Sequence, residues 1–88
     1  MVRKHIYFYG RVQGVGFRYR AYYMAQPLNL TGWVKNLWDD RVEMEVQGTQ
    51  RDIDSLLQQL QKQRFIEIDH MDIAEIPCKS EAGFHIAN

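Results

Sequence analysis

The sequence predicts an α+β fold, a two-layer α/β sandwich in which two helices cover one face of an antiparallel sheet. Two segments space their apolar residues as helices do, several others alternate with period two, and the order is strand, helix, strand, strand, helix, strand. At 88 residues the chain can bury one two-layer core, so residues 1–88 are expected to form one domain.

Lys4 to Tyr9 alternate, with Ile6 and Phe8 on one face and His5, Tyr7 and Tyr9 on the other, which is strand spacing. A loop from Gly10 to Arg18 follows. Beyond it Phe17, Ala21, Met24, Ala25 and Leu28 form an apolar helical stripe, and Pro27 should end that helix near Ala25 or Gln26. Asn29 suits a left-handed turn position. Leu30 to Leu37 reads as the second strand, with Gly32, Val34 and Asn36 opposite Trp33 and Lys35. Trp38-Asp39-Asp40-Arg41 reads as a hairpin turn, because Val42, Met44 and Val46 then alternate with Glu43, Glu45 and Gln47, one dry side and one wet.

Gly48 ends that strand, and Thr49 with Asp52 resembles a capping box. Ile53, Leu56, Leu57 and Leu60 give the second amphipathic helix, with Gln58, Gln59, Gln61 and Lys62 on its wet face. Phe65 to Ile76 is β-rich but changes phase. Ile66 and Ile68 share one parity and Met71 and Ile73 the other, which predicts a bulge near His70. Pro77 to Gly83 reads as a loop and Phe84-His85-Ile86 as a short extra strand. Right-handed crossovers favour a split arrangement in which the third strand lies between the first two, which then run parallel. Their C-terminal ends would lie together, bringing the glycine loop and Asn36 to within roughly 10 Å of each other, two strand spacings.

Bulk properties exclude several function classes. The 11 Lys and Arg residues balance 11 Asp and Glu, so no general field draws the chain to nucleic acid or an anionic membrane, and any anion site must be local. No apolar run could span a bilayer and the first residues lack a signal-peptide core, so the cytoplasm is the expected location. Cys78 is the only cysteine, which rules out an internal disulfide and leaves it a structural role.

The chemistry concentrates in Gly10-Arg11-Val12-Gln13-Gly14-Val15-Gly16-Phe17-Arg18. Glycines let this backbone turn sharply and present bare N–H groups, and a helix N-terminus after such a turn favours anions. Guanidinium groups at Arg11 and Arg18 could grip phosphate bidentately. On composition alone the same stretch could equally be a tight turn with solvated arginines.

That block, followed by Gly32-Trp33-Val34-Lys35-Asn36 and then Val42-Glu43, closely resembles the acylphosphatases. The resemblance covers essentially the whole chain. It implies the ferredoxin-like version of the sandwich and a metal-free, cofactor-free hydrolase that splits the carboxyl–phosphate bond of acyl phosphates. It further implies that Gln13, Gly14, Val15, Gly16, Phe17 and Arg18 bind the phosphate, with Arg18 closing the loop, and that Asn36 orients the attacking water. Arg18 and Asn36 are therefore the catalytic candidates. The expected partner is a small acyl phosphate, with inorganic phosphate as product and competitive inhibitor, acting on a monomer without nucleic acid or membrane.

Other polar groups are assigned supporting roles. Arg11 is expected to be peripheral and Gln13 to support the loop; Tyr19, Tyr22 and Tyr23 are expected to pack. His5, His70 and His85 lack metal-ligand spacing. The sequence departs from the family pattern at Asp39-Asp40, where Asp-Gly is usual, so a different turn type or a modest stability penalty is expected. Asn29 replaces a usual glycine, and Gln63-Arg64-Phe65 replaces a usual Gly-Pro. One rival is an RNA-binding sheet using Tyr7 and Tyr9, opposed by the carboxylates of Glu43 and Glu45. The other is a non-catalytic phosphate- or carbamoyl-phosphate-binding module, such as the acylphosphatase-like domains found inside larger enzymes.

Overall fold

Alternation in the first strand produces the centre of the molecule: Ile6 and Phe8 are fully buried, while His5, Tyr7 and Tyr9 face the other side. A computed structural model describes residues 1–88, with β1 (Val2–Arg11), α1 (Phe17–Ala25), β2 (Thr31–Asn36), β3 (Val42–Gly48), α2 (Gln50–Gln61), β4 (Glu67–Ile76) and β5 (Phe84–Ile86). The sheet order is β4-β1-β3-β2-β5. β3 pairs antiparallel with both β1 and β2, so those two run parallel, as the split topology requires. The expectation of a wholly antiparallel sheet needs one correction. β5 joins β2 in parallel, making the sheet mixed, because the chain crosses from one sheet edge to the other before adding it.

Both helices lie on the face that carries Ile6, Phe8, Val34, Val42, Met44 and Val46, and α1 also packs against β2, β5 and α2. Phe17, Ala21 and Ala25 turn inward from α1, and Ile53, Leu56, Leu57 and Leu60 from α2. Thr49 accepts a hydrogen bond from Asp52 N–H at 3.1 Å, which caps α2 by one half of a capping box. Tyr22 packs against the core, but Tyr19 and Tyr23 do not, contrary to expectation: they are 59% and 68% exposed because they lie away from the buried Phe17–Ala21–Ala25 stripe.

The phase change in β4 has a direct structural answer. Tyr9 pairs with His70 and Gly10 with Ile68, leaving Asp69 as the extra residue. That bulge shifts the parity, so Ile68 and Met71 both pack against the core from the same face. The hairpin between β2 and β3 closes with Leu37 N–H donating to Arg41 O at 2.9 Å. Asp40 takes the left-handed conformation at φ 73°, as Asn29 does at 54°, both tolerable for short polar side chains. The Asp39 carboxylate then accepts from Arg41 Nε at 2.8 Å, which secures the turn without a glycine.

The opposite end of the sheet holds Arg3, a fully buried guanidinium on the face away from the helices that no sequence pattern foretold. It donates to Glu45 and Gln47 on β3 at 2.9 and 3.2 Å. Its Nη1 also lies 3.0 Å from Glu81 Oε1, an ion pair whose angle is too poor for a hydrogen bond. Gln47 further exchanges two 2.9 Å bonds with the main chain of Lys79. This cluster fastens the crossover of residues 77–83 on its way to β5. Removing one member of a buried ion cluster strands the others, so Arg3→Leu is expected to destabilise the fold by about 3 kcal/mol in urea titration.

Candidate active site

The site forms where β1 and β2 both end. Val12, Gly14, Gly16, Phe17, Arg18, Tyr19 and Asn36 line a pocket of about 130 Å³. That space suits a phosphoryl-sized group and is well below the roughly 300 Å³ at which pockets begin to enclose larger organic ligands.

The loop is shaped by two glycines in the left-handed region, Gly14 at φ 73° and Gly16 at 78°. Gly16 is also the N-cap of α1 and provides no side-chain cap. Arg20 N–H donates to Gly16 O at 3.0 Å, and the N–H groups of Phe17, Arg18 and Tyr19 before it have no backbone acceptor, as in any first helical turn. The loop N–H groups from Gln13 to Gly16 likewise donate to no main-chain oxygen. Gly14, Gly16, Phe17, Arg18 and Tyr19, whose N–H groups have no main-chain acceptor, all line the one pocket; unpaired N–H groups of a loop and a helix end are what an anion-binding nest uses.

Each candidate side chain has a distinct placement. Phe17 is buried and its ring packs 4.8 Å from that of Phe8. Val15 packs against the core. Gln13 turns its side chain away from the pocket, donating from Nε2 to Leu37 O at 2.7 Å and to Arg41 O at 2.9 Å. It therefore ties the loop to the hairpin. Among the phosphate-binding candidates, the one polar side chain in the pocket lining is Arg18.

Arg18 is held by residue 88: its Nη1 donates to Asn88 O at 2.7 Å and to Asn88 Oδ1 at 3.0 Å. Nε and Nη2 make no bond to protein, which leaves a two-donor edge for an anion. Asn36 lines the same pocket from the helix-covered face of β2, where its neighbour Val34 is fully buried. Its main-chain N–H and C=O bond to the Asn88 side chain, while its own amide makes no protein hydrogen bond. A strand asparagine satisfied by its surroundings would look different.

The remaining groups lie outside this pocket. Arg11 is 65% exposed and reaches Glu67 at 4.0 Å, a peripheral position. His5, His70 and His85 pair separately with Glu43, Asp72 and Ala82 O, each at 2.7 Å. Cys78 is exposed in the crossover, so it contributes no core packing. Tyr9 donates to Asp72 at 2.7 Å on the open sheet face, which raises the tyrosine pKa; the same bond, with help from His70, lowers that of Asp72. Asn88 was invisible to sequence reasoning, since it follows the last strand with no motif around it.

A model of the acylphosphatase family matches residues 4–86. The chain belongs to the acylphosphatase family. An acylphosphatase of Bifidobacterium longum (strain NCC 2705) is 42% identical over 84 residues, covering 94% of this chain and 87% of the relative. The crystal structure of acylphosphatase from Bacillus subtilis matches at a TM-score of 0.92 and 32% identity, with 100% of each chain covered. HypF of T. kodakarensis matches at 0.85 and 36% identity, covering 100% of this chain and 12% of its own. The family expectation from the two signature blocks is met, together with the ferredoxin-like sandwich and the assignment as a hydrolase of this family. No helix is long and apolar enough to cross a membrane.

Because Gln13 bridges two hairpin carbonyls, Gln13→Ala is expected to cost about 1–2 kcal/mol and to speed amide exchange at the β2–β3 turn. Thermal unfolding and hydrogen exchange would measure the two effects.

Proposed function

We propose that residues 1–88 act as a cytoplasmic acylphosphatase, hydrolysing acyl phosphates to a carboxylate and inorganic phosphate without a metal or other cofactor. The observation that supports this reading is that Arg18, loop residues with unpaired N–H groups and Asn36 with its unpartnered amide line one pocket of about 130 Å³.

Binding comes first in the chemistry. The phosphoryl oxygens take the N–H groups between Gln13 and Arg18 together with the Nε and Nη2 edge of Arg18. Developing charge is met by these fixed donors and by the positive end of α1, which need little reorganisation during reaction. The Asn36 amide both accepts and donates, so it can fix one water without being basic enough to deprotonate it. That water attacks phosphorus and its oxygen becomes part of inorganic phosphate, while the P–O bond to the acyl group breaks and its electron pair leaves with the carboxylate. The proton passes to the phosphate or to solvent. A carboxylate needs almost no protonation near neutral pH, so a strong general acid is unnecessary and positioning dominates. Product phosphate fits the same donors and should inhibit competitively.

A second reading is supported by the match to 12% of HypF, in which the same fold forms part of a far longer chain. A module that only binds phosphate would keep affinity and lack turnover.

Hydrolysis of an aryl acyl phosphate in excess chelator separates these readings. We expect undiminished turnover; a metal requirement would overturn the mechanism, and binding without turnover would favour the module. Arg18→Ala should weaken phosphate binding and lower the rate by about 10²–10³-fold. Asn36→Ala should retain phosphate affinity and lose about 10²-fold in rate through misplacement of the water. Normal turnover by the Asn36 variant would end the water-positioning role.

A further inference from the structure

We propose that Arg20 is a specificity-determining residue of this site: braced by Gln63 at the rim of the pocket, it selects acyl phosphates whose acyl half ends in a second carboxylate. The inference rests on the reading of the pocket as the seat of the phosphoryl group.

Arg20 follows Gly16 by one helical turn, and its N–H donates to Gly16 O at 3.0 Å. A helical side chain leans toward the N-terminus and covers the turn before its own Cα. Arg20 therefore reaches back over Gly16, which has no side chain to obstruct it. Its Nε lies 3.8 Å from where a β-carbon on Gly16 would stand. Gly16 lines the pocket and Arg20 does not, so this exposed guanidinium stands just outside, at the rim.

The brace comes from a stretch where the chain departs from the family pattern, Gln63-Arg64-Phe65 in place of the usual Gly-Pro. Gln63 Oε1 accepts from Arg20 Nη1 at 2.7 Å, while its Nε2 donates to Gln59 O at 3.0 Å. The main chain of Gln63 is fixed as well, its N–H donating to Leu60 O at 3.2 Å. The end of α2 thus holds Nη1, and Nε and Nη2 make no bond to protein. Arg20 forms no ion pair with any carboxylate of the chain, and Lys62 and Arg64 on either side of its brace form none either. The first turn of α1 contains no acidic residue. A cation held in place with one edge free loses little freedom when it takes an anion.

Pocket size and donor count point to which anion that is. About 130 Å³ holds a phosphoryl group, so the acyl half of a substrate lies outside, where rim groups are the ones that can read it. An edge of two donors matches the two oxygens of a carboxylate, whereas a second phosphate would call for the larger set of donors that the loop supplies. The pair is exposed to solvent, so the gain is modest and is screened by salt.

Acyl phosphonates, in which a P–C bond replaces the hydrolysable link, test this without turnover. Succinyl phosphonate and butanoyl phosphonate have acyl chains of equal length that end in a carboxylate and a methyl group. Calorimetric titration of each into the unaltered chain, Arg20→Gln and Arg20→Glu gives the ratio of their affinities. We expect the unaltered chain to favour succinyl phosphonate, by less as salt rises. Arg20→Gln should lower the ratio about three- to tenfold, and Arg20→Glu should lower it further. Inorganic phosphate has no acyl half, so it should lose less affinity in both variants than succinyl phosphonate does, which a general weakening of the pocket would not produce. A ratio in Arg20→Gln within twofold of the parent, or no preference in the unaltered chain, would overturn the proposal. A chain that binds both phosphonates and hydrolyses no acyl phosphate would count against the hydrolytic reading, while the ratio would still decide the role of Arg20.

Discussion

β3 hydrogen-bonds to β1 along Val2–Phe8 and to β2 along Thr31–Asn36, and this double antiparallel pairing controls the placement of every candidate site residue. It makes β1 and β2 parallel, so both open at the same end of the sheet. The glycine loop leaves one and Asn36 ends the other, with only a strand's width between. Register matters as much as order. A one-residue slip of β2 would turn Val34 and Asn36 to the open face, and one of β1 would carry Ile6 and Phe8 out of the core, so burial of those side chains also holds the geometry of the candidate site.

The two ends of the sheet resolve their polar groups in opposite ways. At the crossover, Arg3 is enclosed by Glu45, Gln47 and Glu81, and its Nε and Nη1 find acceptors within the protein while Nη2 does not. At the site, loop and helix N–H groups, one edge of Arg18 and the Asn36 amide are left without protein partners. In a chain of zero formal net charge, that local excess of donors is the feature the proposed anion site rests on. The Arg3 cluster also bears on the site indirectly. By fastening residues 77–83 it delivers β5 to β2, and β5 in turn delivers Asn88.

Asn88 illustrates a limit of motif reading. The two signature blocks supply Arg18 and Asn36 as candidates, but neither block contains Asn88, which hydrogen-bonds to both. Gln13 is a milder case. Its place in the block pointed to a supporting role, and only the folded hairpin supplied the carbonyls of Leu37 and Arg41 that it supports.

Local pattern determined the elements, because burial of one face forces period two in a strand and period 3.6 in a helix. It located both helices, the alternating strands and even the β4 irregularity, since Ile66–Ile68 and Met71–Ile73 cannot share a face unless one residue is extra. The signature blocks likewise determined the family and the candidate catalytic pair. Tertiary structure decided the parallel addition of β5, the burial of Arg3, the exposure of Tyr19 and Tyr23, and the bridge from Asn88 to Arg18 and Asn36. Those features join residues up to 78 positions apart or depend on which helix face the sheet covers. No local period encodes such contacts; they exist only once the crossover has brought the end of the chain beside its first helix.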